Sequence, residues 1–121
     1  MLQYLRKYNQ RPGDLVNDET FLRRSYLKII GRIPTLEEGQ EFLNDRERSV
    51  KRRKLIDKLL KSEGFNSHWF HFWADILRAK ERVDGNRAGG GAFVQYVKDS
   101  VSSNKPYDKW VKEMLSSTGP L

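Results

Sequence analysis

The sequence predicts an all-α fold, a single compact and bundle-like domain of about six short helices. Apolar residues recur at spacings of three and four along most of the chain, which is the pattern of amphipathic helices. No alternating apolar and polar run of useful length indicates a strand. The 121 residues make one ordinary domain and are enough to bury a core without disulfides or metals.

The first two predicted helices have clear start and stop signals. Asp18 is the expected N-cap of a helix that runs to about residue 30, and Gly31 is its expected stop. The stretch "RIP" interrupts the pattern, because proline disfavours helix at the residue before it. The run "TLEE" is a capping box, so we expect a second helix over 35–44.

The third and fourth predicted helices follow each other closely. Ser49 is the expected N-cap of the third, which runs to about residue 62 and has Gly64 as its stop. Asn66 or Ser67 is the expected N-cap of the fourth, which contains "HWFHFWADIL". Apolar residues extend most of the way round this fourth helix, which predicts a central position in the fold.

The last two predicted helices follow a glycine-rich stretch. Residues 81–92, "ERVDGNRAGGGA", show no periodicity and are predicted to form a flexible connector. A fifth helix is expected over 92–102, and a sixth over 106–116 with a proline at its start.

The predicted domain leaves short segments at both ends. We expect a lead-in over 1–17, a helical domain over 18–116, and at 117–121 the truncated end of a fragment of a larger protein. Helical spacing places eight apolar residues at the centre of the domain: Leu27, Ile30, Ile56, Leu59, Trp69, Trp73, Trp110 and Met114.

Composition excludes several classes of function. The chain has no cysteine, which excludes disulfides, iron–sulfur clusters, thiol catalysis and covalent c-type haem attachment. No stretch approaches the roughly 18–20 apolar residues of a membrane span, and the start shows no targeting signal. Nucleophile motifs and phosphate-binding loops are also missing, so the sequence favours a non-catalytic protein without a cofactor.

Positive charge is concentrated in one predicted helix. Residues 46–61 carry eight basic and two acidic side chains, most of the net charge of +7. The candidate anion-binding residues are Lys51, Arg52, Lys54, Lys58 and Lys61. They would meet an anionic polymer, anionic lipid or acidic protein, but a solvated face with lysine stems over the core edge is the preferred interpretation.

The acidic residues of the second predicted helix disfavour nucleic acid as a partner. A helix-turn-helix reader would place the second helix against DNA, and that helix carries four acidic residues that repel phosphates: Glu37, Glu38, Glu41 and Asp45. Only the basic helix remains as a nucleic-acid surface, and it has no recognisable motif.

A weak metal-ligand pattern lies in the fourth predicted helix. His68, His71 and Asp75 have spacings that can share one helix face. The preferred alternative is a packed helix on which His71 pairs with Asp75, and Asp75 with Arg78. We therefore predict no metal, and we list the structural candidates as Arg23, Arg24, Asp57, Trp69, Trp73, Asp75, Arg78, Tyr107 and Trp110.

One cross-helix ion pair is expected among these structural residues. Our hypothesis is that Asp75 or Asp57 pairs with one of three arginines, namely Arg23, Arg24 and Arg32.

Several motifs together resemble one known family. They are "FLRRSYL", "GRIPTLEE", "LIDKLL", "WADILR" and "NKPYD", in this order over roughly residues 14–119. The chain resembles the planctomycete-type domain of unknown function 1549. It departs from that pattern at Lys28, where many relatives have aspartate, at Phe72, where histidine is frequent, and at "FVQY".

The resemblance implies a setting rather than a reaction. Such domains occur in large exported proteins, often beside a planctomycete-type cytochrome c domain, so an extracytoplasmic location is expected. The leading hypothesis is a non-catalytic scaffold that docks neighbouring domains of the same polypeptide or a protein partner. A basic nucleic-acid-binding module is one alternative, and a hydrolase-like fragment whose site needs a missing domain is another.

Overall fold

Seven α-helices and no strands make up the part of the chain that the structure describes. The structure is a computed structural model, and it describes residues 2–9, 13–80 and 90–118. The helices are α1 (Leu2–Lys7), α2 (Asp18–Ile30), α3 (Leu36–Asn44), α4 (Lys51–Leu60), α5 (Glu63–Leu77), α6 (Gly90–Ser102) and α7 (Tyr107–Ser116). The predicted all-α fold is confirmed, and α1 is an additional helix within the expected lead-in.

Capping groups define α2 and α3 much as their sequences indicate. The N-cap of α2 is Asn17 rather than Asp18, and its Oδ1 accepts a hydrogen bond from Thr20 N at 2.9 Å. Gly31 ends α2 with φ of 73°, a left-handed conformation that glycine adopts without strain. The "TLEE" capping box that opens α3 is confirmed. Asp18 therefore does not cap α2, and its carboxylate is free to pair elsewhere.

The boundary between α4 and α5 differs from the expected one. Val50, not Ser49, occupies the N-cap position of α4, and it makes no side-chain capping bond. Ser62 caps α5 by accepting from Phe65 N, so α5 starts earlier than Asn66 or Ser67 would allow. A serine followed by glutamate at the first helical position is itself a good start signal, since acidic side chains favour the helix N-terminus.

Gly64 lies inside the first turn of α5 and does not stop α4. A Cβ at Gly64 would be 3.2 Å from the Cβ of Ile30, so the glycine allows α5 to approach α2 closely. α5 packs against α2, α4 and α6, as its predicted central position requires, but none of its residues is fully buried, and Phe72 and Ile76 are exposed.

The last residues of the predicted glycine-rich connector belong to α6. Residues 81–89 lie outside the described part of the chain, so the connector predicted there has no structural counterpart to compare. Gly90 to Ala92 belong to the first turn of α6, and Gly90 is buried. The predicted start of this helix was therefore two residues late, because glycine offers no periodic signal although it fits closely packed helices.

The buried side chains form two clusters. The first joins α2, α3 and α4 and contains Leu22, Tyr26, Ile30, Phe42, Leu55 and Leu59. The second joins α6 and α7 and contains Val97, Val101 and Trp110, with Trp69, Trp73 and Met114 among the partly buried residues packed against it. The central position predicted for Leu27 is wrong, because its side chain is 40% exposed, and Ile56 is only half-buried.

Candidate functional site

The basic helix α4 does not present the cationic face that its sequence suggests. Lys51 is only 5% exposed, and its Nζ lies 2.7 Å from Asp18 Oδ2. The same ammonium lies 4.9 Å from the centroid of the Phe42 ring. Lys51 therefore joins α4 to α2 and α3, and most of its side chain is shielded from solvent.

Arg52 binds the same carboxylate. Its Nε and Nη2 both donate to Asp18 Oδ1, at 2.9 and 2.8 Å, and Nη2 also donates to Val16 O at 2.7 Å. The guanidinium lies 4.7 Å from the centroid of the Phe21 ring. Hydrogen bonds from Lys51 and then Arg52 lower the pKa of Asp18.

Two further cations of α4 also have acidic partners. Lys54 pairs with Glu47, and Lys58 Nζ lies 2.9 Å from Glu41 Oε2. These hydrogen bonds raise the pKa of both lysines. Lys61 is exposed, and it has no ion pair within the described ranges. Most of the charge of α4 is thus compensated within the domain.

The two histidines lie in different environments. His68 packs on Gly31, where an added Cβ would be 2.3 Å from His68 Nδ1. His71 is exposed, and its Nδ1 lies 2.7 Å from Ser67 O, one turn earlier. In the described part of the chain, no three His, Asp or Glu side chains are grouped so that they could hold a metal ion.

The expected ion pairs of α5 do not form between described residues. The structure gives no pairing of Asp75 with His71 or Arg78, and Arg78 instead ends α5 in a left-handed conformation. The predicted cross-helix pair is also wrong within the described residues, because Arg32 pairs with Glu38 at 2.7 Å. Arg23, Arg24 and Asp57 are exposed.

A cavity lined mainly by aromatic rings lies between α5, the end of α6 and the start of α7. Its volume is about 500 Å³. The lining residues are Phe65, Trp69, Trp73, Ser100, Val101, Asn104, Lys105, Pro106, Tyr107 and Trp110. All three tryptophans of the chain belong to this wall. We refer to it below as the aromatic cavity.

The rings of the aromatic cavity pack in a graded series from the core to the surface. Trp110 is 4% exposed and meets Trp73 edge to face, with ring centroids 5.0 Å apart. Trp73 also stacks on Tyr107 at 5.8 Å, and Tyr107 is 62% exposed. Phe65 lies 6.0 Å from Trp69 on the other side. The cavity thus has a buried floor and an open aromatic rim.

Three polar atoms of the wall have no hydrogen-bond partner in the described structure. They are Trp69 Nε1, Trp110 Nε1 and Ser100 Oγ, and all three are closed off from solvent. Buried polar groups in native proteins are normally paired, because an unpaired one retains the full cost of its desolvation. An indole N–H can only donate, and a serine hydroxyl can donate or accept. Because the aromatic cavity is open to solvent and these atoms are not, they lie behind its surface, and Ser100 Oγ lies close enough to the Tyr96 hydroxyl to influence its pKa.

Lys105 supplies a fixed cation at the edge of the aromatic cavity. Its Nζ lies 2.7 Å from Glu113 Oε2 and 4.7 Å from the centroid of the Tyr96 ring. The Tyr96 hydroxyl donates to Glu113 at 3.0 Å. Hydrogen bonds from Lys105 and Tyr96 lower the pKa of Glu113, and the bond to Glu113 raises the pKa of Lys105.

Sequence reasoning found part of this site and missed the rest. Trp69, Trp73, Tyr107 and Trp110 were expected as structural residues, and the structure brings them together. Ser100 was missed, although its position beside Val97 and Val101 in the inward stripe of α6 marks a small polar residue facing the core. Phe65 and Lys105 were missed because their place in the wall depends on how α5 and α7 meet.

The comparisons with known proteins give one match. The family description that matches is "PSCyt2: Protein of unknown function (DUF1549)", over residues 1–119. No curated protein and no solved structure gives a significant match. None of the described helices is long and apolar enough to cross a membrane.

Proposed function

This chain belongs to the DUF1549 family of proteins of unknown function, and from that premise we propose that it is a non-catalytic binding module of a larger polypeptide. The aromatic cavity is its binding site. The observation that carries the proposal is the aromatic cavity itself, an open space of about 500 Å³ on whose wall five aromatic rings from α5 and α7 come together.

The shape and composition of the aromatic cavity support this role. Ligand sites are typically concave and mostly apolar, with a few converging polar groups that orient the ligand. Tryptophan and tyrosine also dominate the energetics of protein interfaces, because each buries a large rigid surface and carries a polar group.

The side chains of the lining support a non-catalytic role. Among the described residues that line the aromatic cavity there is no histidine, aspartate or glutamate. Lys105 is held as a cation by Glu113, so it does not act as a base near neutral pH. His71 and Asp75, the local candidates for a hydrolase fragment, do not line the cavity.

The pairing of α4 argues against a nucleic-acid function. Affinity for nucleic acid comes mainly from cations that are available to neutralise phosphates. Four of the five candidate residues instead bind carboxylates of the domain, and Lys51 is buried beneath them. Of this set, only Lys61 has no ion pair among the described residues, and the pairs of Lys54 and Lys58 lie at the surface.

The setting of the module is proposed from the family resemblance. Related domains occur in exported proteins beside cytochrome c domains, so we place this one outside the cytoplasm. Its partners there are the neighbouring domains of the same polypeptide or a separate protein.

A dye titration tests whether the aromatic cavity binds ligands at all. The probe is 8-anilinonaphthalene-1-sulfonate, followed by its own fluorescence and by the indole N–H signals in ¹H–¹⁵N spectra. Because all three tryptophans line the cavity, every indole signal reports on it. We expect saturable binding at one site with shifts of these three signals.

Matched variants of α7 complete the test. Tyr107→Ala removes the exposed rim and should weaken dye binding about fivefold or more, in line with the loss of a contacting aromatic side chain. Leu115→Ala is the control, because Leu115 is 84% exposed on the same helix and does not line the cavity. Non-saturable binding, or equal effects of the two substitutions, would contradict the proposal.

A further inference from the structure

We propose that a pocket between α2, α3 and α4 binds a phosphate monoester that carries a short apolar group. The pocket lies where the N-terminal ends of α2 and α4 meet the C-terminal end of α3, and its volume is about 460 Å³. The lining residues are Leu15, Asp18, Leu43, Arg48, Lys51 and Arg52. We refer to it below as the basic pocket. It shares no lining residue with the aromatic cavity, so the site is independent of the proposed function.

The cations of the basic pocket outnumber its carboxylates. Arg48, Lys51 and Arg52 carry three positive charges and Asp18 carries one negative charge, so the lining has a net charge of +2. Every other ion pair between described residues joins one cation to one carboxylate, whereas the carboxylate of Asp18 is shared by Lys51 and Arg52. Positive charge is therefore left uncompensated at a concave site, which favours an anionic ligand.

Two guanidinium groups of the basic pocket have donors available for an anion. Arg52 uses Nε and Nη2 for Asp18 and Val16, and its Nη1 makes no hydrogen bond to a described residue. Arg48 is exposed, and its side chain has no ion pair within the described ranges. Guanidinium groups bind phosphate oxygens in a bidentate geometry. Lys51 adds its charge from the buried side of the pocket, where salt screens it less than an exposed charge.

The net charge of the lining selects the head group of the ligand. A phosphate monoester carries about 1.5–2 negative charges near neutral pH, whereas a carboxylate carries one. The phosphate therefore comes close to neutralising the lining charge of +2, and its three terminal oxygens can accept hydrogen bonds from both arginines. A carboxylate would leave one positive charge uncompensated.

Two leucines of the lining favour a ligand that also has an apolar part. Leu15 is 92% exposed and Leu43 is 42% exposed, and both line the same pocket as the cations. Covering apolar surface contributes about 25 cal/mol per Å² removed from water. An alkyl group beside the phosphate covers these side chains, which inorganic phosphate cannot do.

The test compares four probes on the whole chain. They are hexyl phosphate, hexanoate with one charge, inorganic phosphate without the alkyl group, and hexan-1-ol without the charge. The methyl signals of Leu15 and Leu43 in ¹H–¹³C spectra report binding, and the indole N–H signals report on the aromatic cavity. We expect saturable binding of hexyl phosphate at the two leucines, about threefold or more tighter than hexanoate and inorganic phosphate and about tenfold or more tighter than hexan-1-ol.

Matched arginine variants test the proposed contact with the phosphate. Arg48→Gln removes an available guanidinium from the basic pocket and should weaken hexyl phosphate binding about threefold or more. Arg53→Gln is the control, because it removes the same charge from an exposed position of α4 that does not line the pocket. We expect it to change the affinity less than about twofold, as is usual for an exposed charge outside the site.

Asp18→Asn should have the opposite effect on binding. It raises the net charge of the lining from +2 to +3, so hexyl phosphate should bind about threefold or more tightly than to the wild type. The ligand should also raise the melting temperature of this variant more than that of the wild type, because it supplies the anion that Lys51 and Arg52 have lost. Weaker binding to the folded variant would contradict an electrostatic site.

The remaining outcomes each decide the proposal. Equal losses in Arg48→Gln and Arg53→Gln would show that hexyl phosphate responds only to the overall charge of the chain, and would overturn the basic pocket as a site. Equal affinities for hexyl phosphate and hexanoate would overturn the phosphate head group. Shifts of the indole signals without shifts of the Leu15 and Leu43 methyl signals would place the probe in the aromatic cavity, which would overturn this site and leave the proposed function standing.

Discussion

The α2–α4 half of the molecule and the α5–α7 half treat their polar groups in opposite ways. In the first half, the buried charge is paired: Lys51 lies against Asp18, and Arg52 binds the same carboxylate. The aliphatic and aromatic residues of the first cluster pack beneath these pairs.

The α5–α7 half leaves buried polar groups unpaired. Its core is richer in large rings, and the two unpartnered indole N–H groups and the Ser100 hydroxyl all belong to it. Apolar packing and ion pairing together account for the stability of the first half, because the buried Lys51 has its partner in Asp18. The second half carries the cost of these unpaired groups, which packing does not explain.

The largest expected effect is on the first cluster. Leu59→Ala should lower the free energy of unfolding by about 2–5 kcal/mol, because it removes a buried side chain and leaves a void. Leu59 is 3% exposed, whereas its neighbour Leu60 is 46% exposed, so Leu60→Ala is the matched control. Urea denaturation measures both. Equal losses would mean that the first cluster does not stabilise the domain as its burial indicates.

The second prediction concerns the Asp18 pairs. Asp18→Asn leaves the buried Lys51 without its anionic partner and should destabilise the domain less than Leu59→Ala and more than loss of a surface pair. Asp14→Asn, at an exposed site nearby, should have no effect.

The pH dependence of the Asp18 contribution has a definite sign. The pKa of Asp18 is lower in the folded state than its ordinary value of 3.8, so its contribution to stability is present above that value and is lost as the pH falls through the folded pKa. Thermal unfolding of wild type and Asp18→Asn should therefore converge in acid. A difference in melting temperature that persisted at the lowest pH would show that the lost interaction is not ionic.

The third substitution should raise the free energy of unfolding, whereas the first two lower it. Ser100→Ala removes an unpartnered buried hydroxyl and should raise the free energy of unfolding by about 1 kcal/mol. Ser102→Ala should change it by less than about 0.5 kcal/mol, as is usual at exposed positions. If Ser100→Ala instead destabilised the free domain, the hydroxyl would have a partner and the contrast between the two halves would weaken.

The smallest expected effect belongs to the exposed pair of Arg32 and Glu38. The hydrogen bonds from Arg32 contribute most to lowering the pKa of Glu38, from 4.5 to about 2. Glu38→Gln should lower the melting temperature slightly at pH 7, because glutamine still serves the capping box. The difference should fade as the pH drops from 4.5 toward 2, and Glu37→Gln is the control at an exposed neighbouring position. A difference that did not fade would assign the effect to capping alone.

Local sequence signals predicted most of the helices but fewer of their boundaries. The capping box at Thr35 and the left-handed stop at Gly31 were visible because each depends on residues close in the chain. The start of α5 was misplaced because Asn66 and Ser67 also offer caps, although Ser62 followed by Glu63 is a good local start signal. Gly64 looked like a stop for α4, whereas its real role is to let α5 approach Ile30.

The pairing of the α4 cations was also not predictable from the sequence. The sequence placed Lys51, Lys54 and Lys58 on one helix face, and that spacing suggested a cationic surface. It could not say that α2 and α3 would supply Asp18 and Glu41 to the same face. The anion-binding role predicted for this set stays a prediction, but the acidic partners leave little of its charge free.

The sequence by itself determined the all-α class, the order of the helices from α2 to α7, and the family. These depend on helical spacing, on capping residues and on motifs that are continuous in the chain. Only the tertiary structure decided that Lys51 is buried and paired, and that three tryptophans and Ser100 surround one cavity. The physical reason is that burial and pairing are properties of helix faces that meet, and the angle and contact between faces are set by packing across residues far apart in the chain.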